Sequence, residues 1–287
     1  MSSGEKQPLL KEANDIPIYD TIAEPRILHS VVENDIYLLG GQFAILCQFA
    51  HPALAKGSYN HSSFADRIPQ RLRNTARFLN VAVCGSPKEK KAIFGVIHKY
   101  HARVKGDDYT ADDPELHKWT AATLFVSIIL VRETFFGKMQ KEEMEDLLKE
   151  SAVFGTSLRM PPEMWPANMR EFWAYWDLNI ATLEVTDMAR SLARDLLYPR
   201  NLPVVMAWTM PLARVVTVNW LPERLAREYG LQPTLTSRAA YVGLVAWVGL
   251  MYPVLPASLK GKRHQMYMED LKKAVEKIER TGHWAGL

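Results

Sequence analysis

Apolar residues recur at steps of three and four along almost the whole chain beyond residue 25, and nowhere do they alternate in twos between Asn-Gly-type turns. That periodicity belongs to amphipathic helices and carries no strand signature. The clearest segment is 87–105. Ser86-Pro87 supplies a cap followed by proline, Gly106 supplies a stop, and Ile93, Val96, Ile97, Tyr100 and Val104 form one apolar stripe. His101 falls on that stripe and points inward, whereas His98 projects off it beside Gly95 and Ala102. Around 68–84, Leu72, Ala76, Leu79 and Val83 make an apolar face, with Arg71, Asn74, Thr75 and Phe78 on the face adjacent. Further helices are expected at 113–136, opened by Asp112 and Asp113-Pro114, and at 140–158. Others run through 162–198, with breaks near Pro166 and Thr186, and over 264–281, closed by Gly282. His117, early in the 113–136 helix, is expected to be exposed. Residues 1–25 hold turn-formers without period and read as a mobile arm, in which Glu5 with Leu9-Leu10 has the spacing of an acidic dileucine sorting signal. The pattern predicts an all-α protein of about ten helices in a single domain over 26–287.

Two late stretches break the amphipathic rule by being apolar on every side. Residues 239–259 contain no charge across 21 positions, enough in length to cross about 30 Å of hydrocarbon, although Gly243, Gly249, Pro253 and Pro256 argue against a straight span. Residues 202–222 are interrupted by Arg214. The simplest expectation is that both are helices buried in a large helical domain. The alternative is peripheral membrane contact, with Trp208, Trp220, Trp247 and Tyr252 at headgroup level, or, for the first stretch, a true span.

Composition narrows the picture by exclusion. With 48% hydrophobic residues in 287, the chain can bury a large core and is not disordered. Thirty-five Lys and Arg against 32 Asp and Glu leave a net charge of +3, too little for nucleic-acid binding. Only two cysteines are present, Cys47 and Cys84, both in apolar surroundings, which excludes a disulfide scaffold and a cysteine zinc site. With no apolar core in its first 14 residues, the chain reads as intracellular, in the cytoplasm or on the cytoplasmic face of an endomembrane.

The standard enzyme signatures are absent: no G-x-S-x-G, no phosphate-binding loop, no dinucleotide fingerprint, no H-E-x-x-H. What remains is a set of histidines and one polar helix face. Arg71, Asn74 and Thr75, flanked by Phe78, can line a pocket and orient an oxygen-bearing ligand, or form the solvated side of an amphipathic helix. His101, a single inward imidazole without a partner at i+4, suits a haem iron better than zinc, which needs three or four protein ligands. A hydrogen-bonded core histidine is the other reading. His51 and His61 bracket a short helix and turn.

Taken in order, AHPALAKG (50–57), His61-Ser62, RLRNT (71–75), HARVKG (101–106), DPELHKWTAATL (113–124), MPPEMWP (160–166) and FWAYWD (172–177) resemble one family. It is that of the MpaB-type ER-bound oxygenases, whose catalytic domain is related to the rubber oxygenase latex-clearing protein. The resemblance spans about 35–230. It implies a globin-like helical domain with a b-type haem between helices, acting with O₂ on C=C bonds of isoprenoid chains. It also implies that His101 is the iron's proximal ligand and that Arg71, Asn74 and Thr75 match the distal face.

The chain departs from the family at several points. Asn74 stands where the rubber enzymes carry a lysine able to cap the iron. No Glu occurs between Glu33 and Glu89, so His51 or His61 replaces the carboxylate base of those enzymes. Ala121 stands where the family often has a histidine. The reading that results is a haem b-dependent oxygenase or oxidase acting with O₂ on a hydrophobic, unsaturated small molecule. Catalytic roles fall to Arg71, Thr75, Asn74, His51 and His61, and haem contacts to His101, Arg71 and Phe78. A haem-containing isomerase, cyclase or dehydratase on the same scaffold, and a non-catalytic lipid or haem carrier, are the alternatives.

Overall fold

Helix starts are set locally by capping residues. The Ser86 hydroxyl accepts the Glu89 N–H while the Glu89 carboxylate takes the Ser86 N–H at 2.8 Å, a reciprocal box. Asp113, Asn168, Thr186 and Thr234 each accept a backbone N–H at the first turn of their helices. The computed structural model describes residues 25–61, 64–200, 202 and 204–281, side chains at 61, 64–66 and 204–206 excepted. Within them the chain forms α1 (Arg26–Val32), α2 (Gly41–Phe49), α3 (Pro52–His61), α4 (Phe64–Cys84), α5 (Pro87–His101), α6 (Pro114–Phe136) and α7 (Lys141–Thr156). There follow α8 (Met169–Thr182), α9 (Asp187–Leu197), α10 (Val204–Trp220), α11 (Glu223–Tyr229), α12 (Leu235–Val254), α13 (Ala257–Lys260) and α14 (Lys262–Thr281). The fold is all-α, and no strand occurs among the described residues. The number of helices exceeds ten because α1, α11 and α13 are pieces of seven, seven and four residues, too short to show a period. The Glu5/Leu9-Leu10 motif lies outside the described residues.

The core is built around α6. Thirteen of its 23 residues are buried, so the helix is covered on all sides rather than along one stripe. Trp119 stacks on Trp176 with centroids 5.1 Å apart and donates its indole N–H to the Cys47 carbonyl. Phe125 meets Phe172 edge-on at 4.6 Å. Burying side chains of this size stabilises the fold by about 1.5–3 kcal/mol each. A buried carboxylate fixes the periphery: Glu150 on α7 accepts the N–H groups of Arg26, Ile27 and Leu28, placing negative charge at the N-terminus of α1.

The 239–259 stretch is a correction to the expectation of burial. It forms most of α12, which has no buried residue. Tyr241, Leu244, Val248 and Tyr252 pack against the core as a half-buried stripe. Tyr241 accepts the Trp220 indole N–H, and Tyr252 donates to the Asn34 side-chain oxygen. No described residue covers the opposite face, where Trp247 is 60% and Leu250 69% exposed, and Trp208 of α10 is 78% exposed. Of the four aromatic residues expected near headgroups, Trp220 is buried and Tyr252 half-buried. The described helix long and apolar enough to cross a membrane is α6, which lies in the core.

Candidate active site

The site begins where α5 stops. The helix ends at His101, short of the Gly106 stop, because the chain turns back on itself. The Val104 carbonyl accepts the Ala111 N–H at 2.8 Å, and Gly106 donates to the Tyr109 carbonyl at 2.9 Å. Gly106 lies so close to the Tyr109 ring that any Cβ there would collide with it. Lys56 of α3 reaches Asp108 at 2.7 Å and pins the tip of this turn. The return brings Ala111 and Asp112 beside His101 and starts α6 with its first turn against the last turn of α5. The rings of His101 and His117 stack with centroids 5.9 Å apart and planes inclined by 29°.

This histidine pair forms one wall of a cavity of about 250 Å³, whose lining includes Arg71, Thr75, Tyr100 and Thr120. A second cavity of about 370 Å³ lies between α2, α4, α6, α10 and α12 and is mostly apolar. Ile45, Gln48, Leu72 and Thr75 line both.

Of the residues singled out in the sequence, the structure brings His101, Arg71 and Thr75 to this cavity. The Arg71 guanidinium approaches the Ser58 hydroxyl at 3.5 Å, and its pKa is lowered by burial and by Arg67, against Tyr100. Asn74 does not line either cavity. At 100° per residue, positions 71 and 75 lie 40° apart on the helix while 74 turns away, and its side-chain oxygen accepts from Gln70 at 3.1 Å and Arg77 at 3.5 Å. Phe78 is buried against Phe94, with centroids 5.8 Å apart, outside the cavity. His51 lies off the lining with a buried, unpartnered Nδ1. His61 closes α3, and its side chain lies outside the described ones.

Two histidines are corrections. His98 is buried, not turned outward: its Nε2 bonds the Ser157 carbonyl at 3.0 Å, since α7 ends against that side of α5. His117 is buried rather than exposed, its Nε2 on the Ala111 carbonyl at 2.8 Å, because the turn between α5 and α6 covers the start of α6. Burial drives the His98 pKa down to about 4 despite the Ser157 bond. Burial and the neighbouring imidazoles of His117 and His98 take His101 down to about 3. Both are therefore neutral at pH 7. Arg159 went unnoticed in the sequence. It holds φ +76°, and among the described residues no other non-glycine has a positive φ. From there it pairs with Asp112 at 3.1 Å. The one signal it left is an arginine after α7 where a glycine C-cap is the rule.

The family described as ER-bound oxygenase mpaB/B′/rubber oxygenase, catalytic domain, matches residues 29–250 of this chain. Two relatives, uncharacterised proteins of Mycobacterium bovis and Mycobacterium tuberculosis, are each 23% identical over 209 residues, covering 71% of this chain and 82% of theirs. No solved structure matches.

Proposed function

Because the chain belongs to the family of ER-bound mpaB/B′ and rubber oxygenase catalytic domains, we propose that it is a haem b-dependent oxygenase of a hydrophobic, unsaturated small molecule. One observation carries this reading: His101 stands in the cavity wall with its Nδ1 buried and without a partner, in a space shared with Arg71 and Thr75. The donor set fits an iron porphyrin. A single neutral imidazole on a rigid helix is what a haem iron takes from the protein, and a guanidinium suits either a propionate or bound oxygen. Haem b, when bound, supplies the iron at which O₂ is activated. Arg71 and Thr75 act as hydrogen-bond donors held in position before the reaction, in a space from which apolar walls exclude water. No Asp or Glu lines the first cavity among the described residues, so proton transfer there falls to the neutral imidazole of His117 or to ordered water.

The second cavity serves the substrate. Leu124 and Ile128 of α6, Met210 of α10 and Val248 of α12 give it an apolar wall, and Thr75 joins it to the first. The uncovered face of α12, with Trp208 beside it, rests on a membrane. Its charge-free run is bracketed by Arg238 and Lys260, whose stems reach headgroups while Trp247 and Leu250 enter the acyl boundary. A lipophilic substrate then passes from the bilayer into the second cavity without crossing water.

The test is an absorption spectrum with haem quantification of protein expressed with a haem precursor. The reading expects a Soret band at near-unit stoichiometry that is lost in His101→Ala, and O₂ consumption coupled to an oxygenated product. Folded, haem-fed protein without a Soret band, or His101→Ala with full haem content, overturns it.

A further inference from the structure

The wall that carries His101 contains more ligand chemistry than a single-imidazole haem site uses. His101 closes α5, Asp112 ends the return turn, and His117 lies in the first turn of α6. Their ligand atoms all lie within 4.8 Å of one another. Each side chain also has a buried atom with no hydrogen-bond partner: His101 Nδ1, Asp112 Oδ1 and His117 Nδ1.

The hydrogen bonds settle what two of those atoms are. The Ala111 carbonyl can only accept, so His117 Nε2 carries the proton and its Nδ1 presents a bare lone pair. Arg159 occupies Asp112 Oδ2 at 3.1 Å, which leaves Oδ1 as a second bare acceptor. Two buried acceptors belong to this cluster beside a third nitrogen, and the guanidinium that reaches it from the next element, Arg159, is spent on Asp112 Oδ2. Such a set is costly unless a shared proton or a cation lies among them. Two imidazoles and one carboxylate are the donor types that borderline divalent metals prefer, and the Ala111 bond fixes the ring of His117 as outer partners of metal-bound histidines do.

We propose that His101, Asp112 and His117 form a binding site for a divalent transition-metal ion of the Zn²⁺ or Fe²⁺ type, distinct from the haem assigned above though sharing His101. Metal–ligand bonds near 2.0–2.2 Å place adjacent ligand atoms about 3–3.5 Å apart. The separations of up to 4.8 Å in the triad fall to that range with side-chain rotations. Three protein ligands leave at least one position free. Since His101 and His117 both line the 250 Å³ cavity, that position faces Arg71 and Thr75. The site is thus of the open kind, and one molecule holds either this ion or a haem on His101. Arg159 is a positioning residue: its pairing with one carboxylate oxygen turns the other toward the two imidazoles.

The experiment is titration of the haem-free full chain with Co²⁺, followed by its visible absorption and by the shift in melting temperature. One Co²⁺ per chain is expected, with the d–d bands of a four- or five-coordinate site, and a higher melting temperature. Asp112→Asn and His117→Gln keep the side-chain volumes close to the originals, and circular dichroism checks that they fold. Each should weaken Co²⁺ by more than about 100-fold, because loss of an outer partner alone costs 10–100-fold. Both variants should still take up haem, whereas His101→Ala should take up neither. Folded wild-type protein that binds no Co²⁺, or variants that bind it as tightly as wild type, overturn the proposal. Haem uptake is read separately from its Soret band, so failure of the metal site and failure of the haem reading are distinguishable.

Discussion

α6 and α12 are of similar length and similarly apolar, yet they lie at opposite extremes of burial. α6 is enclosed by α2, α7, α8 and the 35–40 turn, and it buries thirteen residues. α12 buries none. The difference comes from what packs on them. α6 carries large side chains around its whole circumference, and neighbouring elements meet each face: Trp176 against Trp119, Phe172 against Phe125, and the 35–40 segment over Ser127, so closely that a Cβ on Gly40 would lie 3.1 Å from the Ser127 Cβ. α12 offers one stripe to the core, and its outer face meets none of the other described elements. Apolar composition therefore marks two different environments here. In α6 it serves the core and delivers His117 and Thr120 to the cavity at its first turns. In α12 it faces outward.

The strongest test of this contrast is truncation inside α6. Phe125→Ala should cost about 3–5 kcal/mol, the usual penalty for emptying a fully buried aromatic site, read as a fall in the urea midpoint. A loss below about 1 kcal/mol would mean that α6 is not packed all round, and the comparison would fail.

The polar end of the same buried region should make the protein sensitive to acid. In haem-free, metal-free protein His98 and His101 have pKa values of about 4 and about 3, against 6.5 for a free histidine. Between pH 6.5 and those values the unfolded chain binds a proton at each that the folded chain refuses. Stability is therefore intact above pH 6.5 and falls as the pH drops, by up to about 1.4 kcal/mol per pH unit for each residue. From pH 7 to pH 5 this amounts to roughly 2 kcal/mol apiece. His98→Gln keeps a donor for the Ser157 carbonyl and cannot titrate. It should remove the share of the pH slope that His98 contributes, and an unchanged slope would show that His98 is not a group refusing the proton.

A smaller effect separates the cavity face of α4 from the rest of that helix. Arg71→Ala should slow turnover by about 10²-fold, near 2.7 kcal/mol, while haem content stays constant, as loss of one preorganised donor does. Thr75→Val should act in the same direction, whereas Asn74→Ala should leave turnover within about twofold because its side chain points to Gln70 and Arg77. Equal losses at 71 and 74 would return both to the single polar face that the sequence suggested.

That sorting shows what was legible beforehand. Period and caps located the starts of α5 and α6 to within a residue, since Ser86 and Asp113 act within four residues of themselves, but they ran α5 four residues past its end and did not find the start of α8 at Met169. They also identified His101 as inward. The environments of His98 and His117 were hidden because each depends on a distant segment: His98 on the end of α7 at Ser157, His117 on the turn over 102–112, which Lys56 of α3 holds at Asp108. Periodicity assigns a residue to a face but does not say what covers it. The same limit explains α12: nothing local distinguishes a helix enclosed by others from one left open. Family resemblance supplied the chemistry for His101, yet it could not reveal Asp112 or Arg159, which matter through contacts 11 and 47 residues apart along the chain (Asp112 to His101, and Arg159 to Asp112).

The gentlest perturbation falls on the open side of the comparison. Trp247→Ala and Leu250→Ala remove apolar surface that none of the described residues covers, so stability in plain buffer should change by less than about 0.5 kcal/mol each. Binding to phosphatidylcholine vesicles should fall by about tenfold or more in the double variant, because each side chain contributes on the order of 1 kcal/mol when its area enters the acyl boundary. The two readings together separate the occupants of this face. A large loss of stability with no change in vesicle binding would mean that the face is covered in solution by a second copy of the chain. Unchanged stability with unchanged vesicle binding would detach the face from the membrane altogether. Only weakened vesicle binding at constant stability keeps α12 as the counterpart of α6: one apolar helix closed over by the protein, the other left open for a bilayer to cover.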